Sequence, residues 1–271
     1  MTALAVIPAR YGSTRFPGKP LALLHGKPLI QHVYERVAKA ARVAEVVVAT
    51  DDERIQRAVE QFGGTAVMTS ARAKSGTDRV AEVARARSDA QVVINVQGDE
   101  PLVQSDMVDQ LADYLERHSA VPMASLMTRF ARAEDVASPN VVKVVVDRDG
   151  FALYFSRAPI PFVRESSSRL EARGSRQEPV QLTPASSLQP PAWKHLGLYG
   201  YQRHFVLQFP HLEPTPLEQR EQLEQLRALE HGYRIKLLET IHETIGVDTP
   251  EDLAKAEAIL QRVRTTNVGK T

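Results

Sequence analysis

Leu4-Ala5-Val6-Ile7 is an uninterrupted apolar run, and it passes straight into Pro8-Ala9-Arg10-Tyr11-Gly12-Ser13-Thr14-Arg15-Phe16-Pro17-Gly18-Lys19-Pro20. So short a run, closed by glycine and proline, predicts a buried strand that ends in a turn. Working outward, Leu29–Ala41 has helical periodicity and Val46–Ala49 is again a strand. Asp52–Phe62 reads as a helix capped by Asp51 or Asp52 and stopped by Gly63-Gly64. Thr65–Met68 predicts a short strand, Thr77–Ala86 a helix, Val92–Val96 a strong strand bounded by Gly98, and Met107–Glu116 a helix. Strands that alternate with helices in this way imply an α/β fold: a mainly parallel sheet covered on both faces.

The second half is more mixed. Val141–Val146 and Phe151–Phe155 predict strands around Asp147-Arg148-Asp149-Gly150, where Asp149-Gly150 is a hairpin signal because the turn needs positive φ. Leu196–Tyr201 and Ile235–Glu239 are further strands, and Leu217–Glu230 and Pro250–Arg262 are helices. Residues 165–192 hold two serine clusters and Pro179, Pro184, Pro190 and Pro191 with few apolar residues, the composition of an extended excursion or surface disorder. The expected organisation is one domain over 1–264, with that excursion and a frayed tail over 265–271.

The chain of 271 residues is 43% hydrophobic and 25% charged, ordinary values for a globular protein with a full core. It has no cysteine, which excludes disulfides, thiolate zinc sites and a cysteine nucleophile. The 34 basic and 33 acidic residues leave a net charge of +1, so no global nucleic-acid footprint is present. Residues 1–42 nevertheless carry seven Lys/Arg against Glu35 alone, a local +6 that suits a compact anion or a solvated basic face. No apolar stretch reaches the ~18 residues of a membrane span, and the start lacks a signal pattern, so a cytoplasmic protein is expected.

Four segments could carry chemistry. The loop after the first strand offers turn N–H groups and the cations Arg10, Arg15 and Lys19 to phosphates. It is neither a Walker A loop nor G-x-G-x-x-G, since five residues separate Gly12 from Gly18 and Pro20 follows Lys19. Gln97-Gly98-Asp99-Glu100 lies just past a strand's carboxyl end, where ligands collect. Its acids read either as ligands for Mg²⁺ with substrate phosphates or as a helix cap plus a solvated Glu. Asp248 or Thr249 caps the last helix, and Asp248 reads alternatively as a second metal carboxylate. His195, Gly197 and Tyr199 fall on one strand face, and Arg157 is an anion-ligand candidate. On the 217–230 helix a wheel turns Glu224 away from the stripe of Leu223, Leu226 and Leu229, towards solvent.

Together, IPARYGSTRFPGKPL (7–21), ATDDERI (49–55), SGTDR (75–79), INVQGDEP (94–101), NVVKVV (140–145), ALYFSRAPIP (152–161), HLGLYGY (195–201), PLEQREQLEQLR (216–227) and GVDTPEDL (246–253) resemble the 3-deoxy-manno-octulosonate (Kdo) cytidylyltransferase family, the CMP-Kdo synthetases. The first block alone indicates a sugar nucleotidyltransferase; SGTDR, YFSRAPIP and HLGLYGY indicate the Kdo branch. The 165–192 excursion departs from the family in its length.

The resemblance implies a Rossmann-like, glycosyltransferase-A-like nucleotidyltransferase fold and the reaction of CTP with Kdo to give CMP-Kdo and pyrophosphate. It also implies Mg²⁺, a role in lipopolysaccharide synthesis in Gram-negative bacteria, and a homodimer. By residue, it places Lys19, Arg10, Asp99 and Asp248 in catalysis. It places Ala9, Arg10, Gly12, Arg15, Lys19, Ser75, Arg79, Gln97 and Gly98 on the nucleotide. Gln97, Arg157, His195, Tyr199, Glu224 and Gln225 fall on the sugar, against the wheel in the case of Glu224, and Asp99 and Asp248 on the metal. The rivals are another sugar nucleotidyltransferase, such as a CMP-sialate synthetase, and a non-catalytic nucleotide or sugar sensor. Keeping Asp99, Asp248 and Lys19 together argues against the sensor. A nicotinamide oxidoreductase lacks its glycine fingerprint.

Overall fold

The computed structural model describes residues 3–12, 16–162 and 192–268. The predicted excursion and Arg15 lie outside them, apart from Ala192, and so do the last residues of the expected tail. The chain begins with β1 (Ala3–Pro8), a small hairpin of β2 (Leu23–Leu24) and β3 (Lys27–Pro28), α1 (Leu29–Val37), β4 (Val43–Thr50) and α2 (Glu53–Gln61). It continues through β5 (Ala66–Met68), α3 (Gly76–Arg85), β6 (Val92–Asn95), α4 (Ser105–Arg117), β7 (Met123–Thr128) and α5 (Ala133–Ala137). Then come β8 (Lys143–Val146), β9 (Ala152–Ser156), β10 (Ala192–Gln202), α6 (Arg203–Gln208), α7 (Pro216–Glu221), α8 (Gln225–Glu230), β11 (Ile235–Glu239) and α9 (Pro250–Val268).

The main sheet runs β11-β7-β10-β6-β1-β4-β5, with β8 paired to β10 and β9 to β8. Pairings among β6, β1, β4 and β5 are parallel, as is β11 with β7, whereas β10 lies antiparallel to β6, β7 and β8. This is the expected α/β architecture with a mainly parallel sheet. Alternation along β1 feeds two cores: Ala3, Ala5 and Ile7 pack beneath α1, α2 and α4, and Leu4 and Val6 pack beneath α3, α6 and α8. A third cluster seats α9, through Ala256 and Leu260, on Leu24, Leu29 and Leu102. That packing brings Val247, and hence the segment carrying Asp248, back to the first strand's loop.

Several sequence expectations change. The 217–230 helix is two helices, because Gln222 sits at φ 53° and ends α7. α9 runs on through Val268, past the point where a tail was expected to begin. Asp52, not Asp51, caps α2 by accepting from Arg54 N. Met123–Thr128 is a wholly buried strand that the sequence did not single out. β10 also carries a two-residue insertion: Leu196 opposes Leu126 and Tyr199 opposes Ser125. An even insertion preserves the alternation, so Leu198 stays with Leu196 in one core and Tyr199 with Tyr201 against the other.

Candidate active site

The carboxyl ends of β1 and β6, the start of α3 and the segment before α9 enclose a cleft of about 350 Å³. Its walls include Ala9, Arg10, Lys19, Ser75, Arg79, Gln97, Gly98, Asp99 and Asp248. Most of the residues expected at the nucleotide therefore converge here from segments far apart in sequence. Gly12 does not line the cleft, and a Cβ there would meet nothing within 4 Å. Gly98 is constrained: a Cβ would lie 3.0 Å from the Pro8 carbonyl and 3.4 Å from Ile30 Cδ1. Close approach of the β1 and β6 ends thus needs glycine at that position.

At one end of the cleft Lys19 Nζ donates to Asp99 Oδ2 at 2.6 Å and to Asp248 Oδ1 at 3.2 Å. The two carboxylates that spacing could not bring together share one ammonium. A further tie locks them, since Val247 N donates to the Asp99 carbonyl at 2.8 Å. Thr249 rather than Asp248 caps α9: its hydroxyl accepts from Asp252 N and donates to Asp252 Oδ2. Asp248 is therefore held by the loop without serving as a cap. The donor set suits one kind of metal. Two carboxylates directed at a single cation offer hard oxygen ligands, and among the described residues no group of three or more His, Cys, Asp or Glu could hold a metal. Mg²⁺, which completes its shell with phosphate oxygens and water, fits such a pair. A zinc site with three protein ligands does not.

The other expected nucleotide residues have structural duties as well. Ser75 caps α3 in a capping box with Asp78. Arg79 is buried, pairing with Asp51 at 2.6 Å and donating to Thr69 Oγ1 at 2.7 Å. The Ala9 N–H donates to the Ala49 carbonyl, which fixes the chain just past β1 where it lines the cleft.

Of the residues expected at the sugar, only Gln97 lines the cleft. His195 and Gln225 are buried and Tyr199 and Glu224 half-buried, all outside the cleft's lining. His195 packs edge-on to Phe155, at 4.9 Å between ring centroids, and lies 5.5 Å from Tyr199. Burial pulls the His195 pKa down to about 3, so the imidazole is neutral. Its Nε2 lies 2.9 Å from Ser125 Oγ, whose single proton serves the carbonyls of Leu198 and Leu196 across the β10 insertion. Nε2 must then donate, an assignment that follows from this hydrogen-bond inventory.

The solvent-facing position read for Glu224 is overturned. With the helix broken at Gln222 the wheel does not apply, and Glu224 Oε2 accepts from Thr77 Oγ1 at 2.5 Å. Burial raises its pKa, against the pull of hydrogen bonds from Thr77 and Ser75. Arg157 turns away from the cleft. Its guanidinium donates to the carbonyls of Glu221, Pro139 and Gln222, where it caps the end of α7.

Two buried charges escaped the sequence reading. Glu100 was open to reading as a solvated acid; it is 8% exposed, beside Gln97 and Gly197, and burial followed by the Asp99 charge raises its pKa to about 7. Lys143, fully buried, donates to the carbonyls of Ser138, Val141 and Arg157 and so ties β8 to the end of β9. No local signal marks either residue: Glu100 lies against Gly197 of β10, and Lys143 is enclosed only when β8 pairs with β9 and β10.

A sequence model of the cytidylyltransferase family matches residues 4–241. The 3-deoxy-manno-octulosonate cytidylyltransferase of Geotalea uraniireducens is 53% identical, over 97% of this chain and 100% of that one. Its namesake in Geotalea daltonii is 52% identical over 97% and 99%. A solved structure of CMP:2-keto-3-deoxy-manno-octonic acid synthetase complexed with CTP superposes with a TM-score of 0.83 at 42% identity, covering 97% of this chain and 99% of that one. These likenesses run through every segment that builds the cleft, and the chain belongs to the 3-deoxy-manno-octulosonate cytidylyltransferase family.

Proposed function

We propose that this protein transfers CMP from CTP to the anomeric hydroxyl of Kdo and releases pyrophosphate. The observation that carries the reading is Lys19 held between Asp99 and Asp248 at one end of a cleft of about 350 Å³, in a chain half identical to enzymes named for this reaction. The hydroxyl oxygen forms a bond to the α-phosphorus, the bond from that phosphorus to the bridging oxygen breaks, and the hydroxyl proton passes to water. Negative charge grows on the phosphate oxygens and the leaving group, so positioned cations do most of the work. Arg10 and Lys19 line the cleft where a triphosphate would lie. Asp99 and Asp248 would hold Mg²⁺, which supplies charge neutralisation at the phosphates.

Gln97, which lines the cleft, would contact Kdo, with His195, Tyr199, Glu224 and Gln225 as further sugar residues. Neutral His195 suits a positioning role better than proton transfer, given its low pKa. Arg157 would need to leave its carbonyl partners to meet the Kdo carboxylate. The reading carries with it one catalytic unit over 1–264 working as a cytoplasmic homodimer in lipopolysaccharide synthesis. Light scattering on the purified protein tests the dimer. A pyrophosphate-release assay crossing Kdo and sialate with CTP, UTP, GTP and ATP tests the reaction. Release should require Kdo, CTP and a divalent metal; equal activity with sialate or GTP overturns the assignment.

A further inference from the structure

We propose that Lys19 is a resident counter-ion that keeps the Asp99–Asp248 pair closed to divalent cations until a triphosphate draws its ammonium away. The inference rests on the reading of those acids as metal ligands. Three observations support it.

The ammonium stands within 2.6 and 3.2 Å of the two carboxylates, in the space a shared metal ion would need. The lysine side chain is 13% exposed, so it is seated in the site and not fraying into solvent. Its backbone is also fixed. Gly18, at φ 72°, caps the short 3₁₀ turn Lys19–Leu21, Gly18 N donates to the Tyr11 carbonyl, and Lys19 N donates to the Phe16 carbonyl. Only the four-carbon stem is left to move, and it is long enough to swing between the acids and the cleft.

The charges then set the order of events. Asp99, Asp248 and Lys19 together carry one net negative charge, and a dication entering beside Lys19 meets a like charge at contact distance. The dication gains the pair only when Lys19 has another partner. The cleft that Lys19 lines with Arg10 is where a triphosphate supplies one. Nucleotide and metal should therefore bind cooperatively, with Lys19 as the coupling element.

The test is Mn²⁺ binding, read by electron paramagnetic resonance and calorimetry on the full chain, without sugar or turnover. Without nucleotide, Lys19→Met should bind Mn²⁺ at least ~10-fold more tightly than wild type, and Lys19→Arg, which keeps the charge, should match wild type. Asp99→Asn should abolish the gained site. With α,β-methylene-CTP, wild type should gain Mn²⁺ affinity and Lys19→Met should gain much less. Thermal melts give a second readout: Mn²⁺ alone should raise the Tm of Lys19→Met but not of wild type. Should Lys19→Met fail to fold, Lys19→Gln serves in its place. Equal metal-only affinity in wild type and the uncharged variants overturns the inference while leaving the metal pair standing. No Mn²⁺ bound even with nucleotide removes the metal reading itself, and the inference with it.

Discussion

Asp248→Asn separates charge from scaffold more cleanly than any other change in the cleft. The substitution keeps shape and removes one negative charge. In the folded protein Asp248 meets Lys19 at 3.2 Å, but its carboxylate is 45% exposed, so the pair is heavily screened. Such a contact contributes at most about 1 kcal/mol. In a chain of this size that is a Tm change of roughly 2–4 °C at most. Helix capping is untouched, because Thr249 caps α9. Activity should respond very differently. If the carboxylate helps to hold Mg²⁺ against the phosphates, its loss costs ~10²-fold or more in kcat/KM, comparable to removing one preorganised electrostatic group. Thr249→Val is the mirror image: it deletes the cap, costs about 1 kcal/mol of stability, and should leave kcat/KM nearly unchanged. Pyrophosphate release measured across a Mg²⁺ titration, with calorimetric melts of both variants, reads the two effects independently. The Asp99→Asn/Asp248→Asn double variant should lose less than the product of the single losses, because the two acids act as one unit. Near-wild-type kcat/KM for Asp248→Asn at all Mg²⁺ concentrations would refute the reasoning, and so would a melting loss larger than that of Thr249→Val.

Three further outcomes are expected. Gly98→Ala forces a Cβ to 3.0 Å from the Pro8 carbonyl; overpacking of this kind costs about 1–3 kcal/mol, and chemical denaturation together with KM for CTP should show loss of both stability and nucleotide affinity. Burial raises the Glu100 pKa to about 7 from an unfolded value of 4.5, so its contribution favours folding at low pH and is lost as pH rises through about 7. Glu100→Gln should therefore flatten the fall in Tm between about pH 4.5 and pH 7, and an unchanged pH slope would count against a buried, titrating carboxyl. Ser125→Ala removes the hydroxyl that bonds across the β10 insertion and leaves His195 Nε2 without its acceptor, at a cost of about 1–3 kcal/mol; urea unfolding checks this, and a loss confined to KM for Kdo with normal stability would contradict a structural role.

The parallel half of the sheet was legible because its strands are buried on both faces and read as unbroken runs such as Val92–Asn95, while α2 carries local cap and stop signals in Asp52 and Gly63. Met123–Thr128 was not, since Met-Ala-Ser-Leu-Met-Thr mixes polar and apolar residues, although every position is buried. The misplacement of Glu224 has one cause. Gln222 adopts a left-handed conformation that non-glycine residues seldom take, and no periodicity announces it. The cleft residues were legible as a set through their motifs. That Asp99 and Asp248 meet, that Arg157 is occupied by carbonyls and that Glu100 is buried are properties of tertiary packing, set by segments far away in the chain.

The place of β10 in the sheet has a consequence for synthesis on the ribosome. β1, β4, β5 and β6 pair with one another using only the first 95 residues, so this half can fold while the rest is still being made. β7 emerges soon afterwards but has no partner there: its neighbours are β10 and β11, which appear only after residue 192. During that interval the open edges of β6 and β7 present unpaired, apolar strands, the kind of surface that invites aggregation. Late insertion of β10 between them is the closing step, and its long-range pairings make that step slow. The contacts around Lys19 are timed in the same way. Lys19 and Asp99 are 80 positions apart and can meet within the early half, whereas Asp248, 229 positions from Lys19, joins them only as the chain is completed. A nascent chain can thus bring Lys19 to Asp99 long before Asp248 arrives to complete the cluster.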